Sequence, residues 1–389
     1  MEHITFLVTV VIITALAFDF TNGFHDTANA MATSISTGAL RPRLAVAVSA
    51  LLNFGGAFLS VQVAKTISGG IIQEHAGISP VIVFAALIGA IVWNLATWRF
   101  GMPSSSSHAL YGGLIGAALI GAGLHAVDFT VVVTKIVIPL VASPIVAGIA
   151  SWAATRISES ITRRSDQEVV GRGFRAGQVA SSALVSLAHG TSDGQKTMGV
   201  ITLALVTCGA LPAGSAPPLW VIVAAGLAMA FGTYSGGWRI IRAMGKGLTD
   251  IRPSQGLSAQ TAAGAVILTS SHMGFGLSTT QVCTGGILGA GLGGQTTINW
   301  SLARRMVYAW GLTLPAAAVV GGLAELLASN GPAGVAAVGV LGAAFCVWIY
   351  VSSRSGRVTA DNVNQVKPAT TTPLPTAPAA DSLQSAPAA

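Results

Sequence analysis

Long apolar stretches alternate with short polar breaks along most of the chain. The runs cover about residues 4–22, 43–64, 80–98, 109–124, 130–154, 178–208, 218–238, 258–273, 282–292, 306–328 and 335–353. A helix needs about 20 apolar residues to cross the hydrocarbon core of a bilayer, so the longer runs are expected to span it. The shorter runs lie beside Ser/Thr clusters and read as broken or re-entrant segments. Irregular backbone at that depth is tolerated only where it is buried in protein or lines a cavity. The pattern predicts an all-α integral membrane protein with about 10–12 transmembrane segments.

Two polar words inside the apolar pattern are versions of each other. Asn22-Gly23-Phe24-His25-Asp26-Thr27-Ala28-Asn29-Ala30 and His189-Gly190-Thr191-Ser192-Asp193-Gly194-Gln195-Lys196-Thr197 share the frame G-x-x-D-x-x-[N/K], 167 residues apart. A second pair follows in the same order at a spacing of 173. Gly101 to His108 with Tyr111-Gly112-Gly113 answers Gly274 to Gln281 with Thr284-Gly285-Gly286. The chain therefore reads as a duplication. An ionised group set in an apolar segment is costly unless it faces protein or water, so the duplicated carboxylates point to a transport site.

Composition agrees with a bilayer as solvent. Charged residues make up 8% of the chain and hydrophobic ones 52%, whereas a soluble domain carries roughly 25% charged. Cys208, Cys283 and Cys346 lack metal-ligand spacing, which argues against a zinc or disulfide framework. The first run reads as a retained helix, since Glu2 stands where a signal peptide is usually basic.

The net charge of +7 is a topology signal rather than a nucleic-acid signal. With the N-terminus outside and every run crossing once, 17 of the 20 basic residues fall on cytoplasmic segments, leaving Lys65, Lys135 and Lys196. That follows the positive-inside bias. The two halves then enter from opposite sides: Arg41-Pro42-Arg43 inside corresponds to the uncharged 210–215 outside. Inverted-topology repeats with interrupted helices follow, with substrate near the midplane. The expected organisation is an N-terminal repeat over 1–155, a cytoplasmic loop over 156–177, a C-terminal repeat over 178–330, a further helix over 331–354 and a disordered tail over 355–389. The glycines of both motif pairs are expected to provide the interruptions.

With these residues in view, the chain resembles the Pit-type low-affinity inorganic phosphate transporters, in their bacterial proton-coupled branch. The words at 22–30 and 189–197 look like that family's two signatures, and the Ser/Thr clusters match in type and position. Thr191-Ser192 stands where an Ala-Asn pair is usual, and Gln281 where histidine is frequent. The resemblance implies that Asp26, Asn29, Asp193, Gln195 and the hydroxyl clusters Ser104, Ser105, Ser106, Ser107 and Ser278, Thr279, Thr280 bind anion and coupling cation.

Elementary chemistry supports that set. Phosphate presents acceptor oxygens, which hydroxyls, amides and the Lys196 ammonium serve as donors. Two carboxylates beside a dianion repel it unless a cation comes too, and Lys196 meets that need only in part. A proton, or a divalent metal carried as a neutral metal–phosphate complex, is the expected companion, with Asp26 and Asp193 holding it. His25, and with less support His108 and His189, are further proton or metal contacts, because imidazole titrates near neutral pH. His3, His75, His125 and His272 have no motif support, and Asp19 and Glu325 read as structural. Bland readings stand beside these: the hydroxyls can bond their own backbone, and Lys196 can simply pair with a carboxylate.

The sequence reading is thus import of inorganic phosphate by symport, without a bound cofactor and without nucleic acid. The bilayer is the expected surroundings and a homodimer the candidate assembly. Sulfate or another tetrahedral oxyanion, and an anion-selective channel, are the alternatives. An enzyme is disfavoured because H-E-x-x-H does not occur and the G-x-S-x-G pattern appears only as Gly190-Thr191-Ser192-Asp193-Gly194, inside the second duplicated word.

Overall fold

A computed structural model describes residues 2–68 and 77–365. His75 and the 366–389 stretch of the predicted tail lie outside the described residues. The chain begins with α1 (Glu2–Ser36), α2 (Pro42–Gly56) and a short α3 (Gln62–Thr66). Then come α4 (Pro80–Arg99), α5 (Ser106–Gly121), the single turn α6 (Phe129–Val132), a π-helical turn Val133–Val137 and α7 (Ile138–Thr162). The second half repeats the order with α8 (Gln167–Thr207), α9 (Leu219–Ser235), α10 (Trp238–Arg242) and a π turn Ala243–Gly247. It continues with α11 (Pro253–His272), α12 (Thr279–Gly293) and α13 (Trp300–Ala328), and α14 (Pro332–Ser353) follows.

Helix starts follow local chemistry. Pro42, Pro80, Pro253 and Pro332 open their helices, where the missing N–H costs nothing and φ is already helical. Asp166 caps α8 by accepting from Glu168 N, and α7 runs to Thr162. The predicted central loop therefore shrinks to a short turn between two polar helix ends.

Among the described residues, five helical stretches are long and apolar enough to cross a membrane: Phe6–Ser36, Pro80–Arg99, Phe129–Thr162, Trp300–Ala328 and Pro332–Ser353. Leu219–Ser235 with Trp238–Gly247, bent by 59°, makes six if that pair is one span. The predicted 10–12 counted every apolar run. α5 and α12, with 16 and 15 residues, reach only about 24 Å at 1.5 Å per residue, short of the hydrocarbon thickness. Large apolar side chains such as Ile145, Leu326, Val340 and Trp348 face outward, as expected where lipid is the solvent.

The duplication is visible in the packing. α1 packs on α9 and α8 on α2, so each half lends its second helix to the other half's first. α4 with α5, and α11 with α12, form antiparallel hairpins: Gly113 abuts Ala86 in one and Gly286 abuts Ala259 in the other. The first hairpin leans on α13 and the second on α7. α1 and α8 themselves run antiparallel, since Thr37 bonds Gln178, Ser34 bonds Ser182, and Asp26 sits beside His189.

The expectation that both motif pairs interrupt helices holds only for the second. The words at 22–30 and 189–197 lie within unbroken α1 and α8. Their glycines serve close approach instead: a Cβ at Gly23 would overlap Met229 O, and one at Gly190 would overlap Asn53 O. The breaks fall at the hairpin turns, where Gly101 and Gly274 take φ of 64° and 70°, a region open to glycine at little cost.

The polar layer lies between two apolar clusters. Along α1, Val8 to Phe18 join one cluster and Ala28 to Ile35 the other; along α8, Val185 and Ala188 join the second and Met198 to Leu205 the first. The intervening residues of both helices are the duplicated words. At one end of the molecule Arg43 meets Asp361, Arg239 meets Arg99 O and Ser353 O, and Arg242 meets Asn362. Residues 355–365 of the predicted tail are thus docked, with Val363 buried and Asn364 bonded to Ile35 O.

Candidate functional site

The polar stretch of α1 faces that of α8, and the tips of both hairpins close against them. Asp26, His189 and Asp193 each offer an atom, all within 4.8 Å of one another. His189 Nε2 lies 3.8 Å from Asp26 Oδ2 and 3.3 Å from Asp193 Oδ2. Hydrogen-bond geometry is lacking at that nitrogen, so the imidazole stands between the carboxylates rather than bonding to either. His189 Nδ1 lies 3.3 Å from Asn53 Oδ1. On the other side of Asp26, His25 Nδ1 is 2.5 Å from Oδ1.

The hairpin tips cross-link the two halves. Ser106 Oγ lies 2.7 Å from Asp26 Oδ2 and 2.6 Å from Asn22 Oδ1; one hydroxyl proton serves only one of these acceptors at a time. From the opposite hairpin, Thr280 donates to Asp26 Oδ1 at 3.2 Å and Thr279 to Asp193 Oδ2 at 3.1 Å. Asn29 Nδ2 bonds both threonines, at 3.2 and 3.1 Å. Lys196 Nζ donates to Asp193 Oδ1 at 2.5 Å, to Ser107 Oγ at 2.5 Å and to Leu277 O at 3.2 Å. All three of its donors are engaged.

These contacts gather His25, Asp26, Asn29, Ser104, Ser106, Ser107, Asp193, Lys196, Thr279 and Thr280 into one buried cluster. Ser104 joins through Thr97 at 2.7 Å and His25 Nε2 at 3.4 Å. Ser105 and Ser278 sit at the tips in another role: each caps its helix, accepting from His108 N and Gln281 N. Gln195 faces away, its Oε1 accepting from Val63 N at 2.8 Å and Ala64 N at 3.4 Å, which supplies α3 with the cap its own Val61 cannot.

Three residues near the cluster, Asn22, Asn53 and Asp19, are not among the sequence candidates, and His189 is one with less support than His25. Asn22 stood in the first word; His189 lies four residues before Asp193, hence on one helix face. Asn53 had no sequence signal. Asp19, read as structural, is fully buried and neither carboxylate oxygen has a hydrogen-bond partner. Thr197 and Asn22 flank it. It lies two turns from Asp26 on the same side of α1, which is the signal that was available. His108 and Gln281, equivalent in the two halves, are both buried with every side-chain nitrogen and oxygen unpartnered.

The charges do not balance. Two carboxylates face one ammonium, leaving a negative charge unless an imidazole is protonated. A phosphate placed here adds one or two more negative charges, and unpaired charge is expensive out of water. An anion entering this cluster would meet a lower electrostatic cost with a cation beside it, and the hydroxyls and amides are chemically suited to both.

Comparison with known proteins agrees. The description "Phosphate transporter family" matches the chain twice, over residues 22–169 and 154–321. A protein of Mycobacterium bovis, named "Probable low-affinity inorganic phosphate transporter", is 52% identical over 318 residues, 81% of this chain and 76% of that one. One of the same name from Mycobacterium leprae is 50% identical over 365 residues, 92% of this chain and 88% of that one. Another from Bacillus subtilis is 42% identical over 329 residues, 84% and 98%. A solved structure titled "The sodium-dependent phosphate transporter" shares the fold with a TM-score of 0.74, covering 83% of this chain and 99% of its own at 20% identity. Relatives named as transporters support a non-enzymatic role. The chain, a multi-pass membrane protein by its helices and its relatives, belongs to the phosphate transporter family.

Proposed function

We propose that this transporter imports inorganic phosphate by symport with protons, through two repeats of inverted topology. The observation that carries the reading is His189 standing between the carboxylates of both duplicated motifs. Phosphate takes the place of contacts the side chains now make with one another, drawing donors from Ser106, Ser107, Thr279, Thr280, Asn29 and Lys196. Asp26 and Asp193, with His25 and His189, hold the positive charge that the anion requires.

Protons are favoured over sodium because imidazole nitrogens take part in the cluster. Hard cations such as sodium prefer oxygen ligands, whereas imidazole binds a proton within the physiological range. The structural neighbour is titled sodium-dependent, so sodium is the competing coupling ion. A second reading, carriage of a neutral metal–phosphate complex, is favoured by the grouping of Asp26, His189 and Asp193, one ligand atom from each. Such a metal is cargo.

Inversion of the repeats is supported by the antiparallel course of the equivalent helices α1 and α8. The convergence of Arg43, Arg99, Arg239 and Arg242 at one end supports a common cytoplasmic side for the basic loops.

Uptake of labelled phosphate into proteoliposomes tests the reading. An imposed proton gradient should drive accumulation without sodium, and competing sulfate should leave it intact. Sodium dependence that persists under an uncoupler would overturn proton coupling; preferred sulfate uptake would overturn the substrate.

A further inference from the structure

A cavity of about 450 Å³ opens between α1, α4, α10 and α14, away from the transport cluster. Its wall is apolar, with Phe20 and Phe24 of α1, Leu95 of α4 and Ile349 of α14. Its rim is basic: Arg239, Arg354 and Arg357 line it, and no acidic residue does. The rim lies where the spanning helices α4 and α14 both end, at Arg99 and Ser353, hence at a membrane boundary.

The positive charge there is uncompensated. Arg239 spends donors on the carbonyls of Arg99 and Ser353 and stacks on Trp98 at 5.4 Å; carbonyls and rings do not neutralise a guanidinium. Arg99 bonds only Ser352 Oγ through its side chain, and Arg354 lies over the Tyr350 ring of its own helix. Among the described residues none of these arginines pairs with a carboxylate. An apolar slot with a cationic mouth at the edge of a bilayer matches a molecule with a hydrocarbon tail and an anionic head.

We propose that this cavity binds an anionic phospholipid, with an acyl chain against the Phe20, Phe24 and Leu95 wall and the headgroup phosphate on Arg239, Arg354 and Arg357. Basic pockets between membrane helices recognise anionic headgroups in this way, and arginine forks fit phosphate oxygens in pairs. The site is separate from the transport cluster, so its test is independent of the coupling mechanism.

The test uses the purified full-length chain in neutral detergent, titrated with phosphatidylglycerol bearing brominated acyl chains. Bromine quenches indole fluorescence at short range, and Trp98 and Trp238 line the cavity. Saturable quenching is expected at about tenfold or more lower concentration than with brominated phosphatidylcholine. Trp98→Phe with Trp238→Phe should remove the saturable part. Arg354→Gln with Arg357→Gln should raise the phosphatidylglycerol requirement about tenfold. Among the described residues neither of these side chains makes a hydrogen bond or ion pair with another helix, and an unchanged elution profile checks that the variant is folded. Equal quenching by the two lipids, or wild-type binding by the double arginine variant, overturns the proposal. Displacement of the lipid by millimolar inorganic phosphate assigns the arginines to the free anion and overturns it as well.

Discussion

His189 on α8 stands between Asp26 on α1, 3.8 Å away, and Asp193 on its own helix, 3.3 Å away. One imidazole thereby lies beside the carboxylates of both duplicated words. Two antiparallel helices from different halves must hold their register for this to occur. The pairs Thr37 with Gln178 and Ser34 with Ser182, farther along the same two helices, set that register.

Asp26→Asn and Asp193→Asn should each abolish concentrative phosphate uptake while preserving expression and membrane insertion. The amide is close in volume, so shape is preserved; what the proposed mechanism loses is the charge that would hold the cation beside the anion. Because Thr280 bonds the first carboxylate and Thr279 the second, neither half should rescue the other. Wild-type accumulation by both variants against a gradient would make the aspartates structural.

Asp19→Asn addresses the buried carboxylate whose oxygens lack partners. An ionised group in that position is costly unless a cation accompanies it. The variant should keep or raise thermal stability in detergent and lower gradient-driven uptake at least about tenfold, the effect of roughly 1.4 kcal/mol. Loss of stability with full uptake would assign Asp19 to packing alone.

Gly190→Ala forces a Cβ against the Asn53 carbonyl at the α8–α2 contact, and Gly23→Ala does the same against Met229 on α9. Overpacking of this kind costs about 1–3 kcal/mol or more. Gly171→Ala, in the exposed first turns of α8 with nothing near its Cβ, should be neutral or stabilise by up to about 1 kcal/mol. Thermal unfolding of the three variants in one detergent should separate them in that order; equal midpoints would sink the close-approach reading of the motif glycines.

Orientation is open to thiol labelling. In a background lacking Cys208, Cys283 and Cys346, single cysteines at Ser165 and Ser355 should resist impermeant reagents in intact cells. Both positions share the exposed, arginine-rich end of the molecule. Efficient labelling of Ser165→Cys from outside would reverse the proposed topology and direction of import.

The sequence alone determined the solvent, the duplication and the identity of most polar groups. Apolar runs and scarce charge are properties of the chain, and an aspartate repeated inside an apolar segment needs no coordinates to be noticed. Tertiary structure decided what each group faces. Ser105 and Ser278 are hydroxyls like their neighbours, yet they cap helices, because the hairpin turns bring their oxygens onto the third N–H beyond the cap. Gln195 is in the second word but turns to α3, since two residues' rotation about a helix carries it about 200° from the Asp193 side. Asp19, outside both words, reaches the cluster by sharing Asp26's side of α1. Side-chain direction across helices from different halves depends on register and crossing, which long-range packing sets and no local spacing encodes.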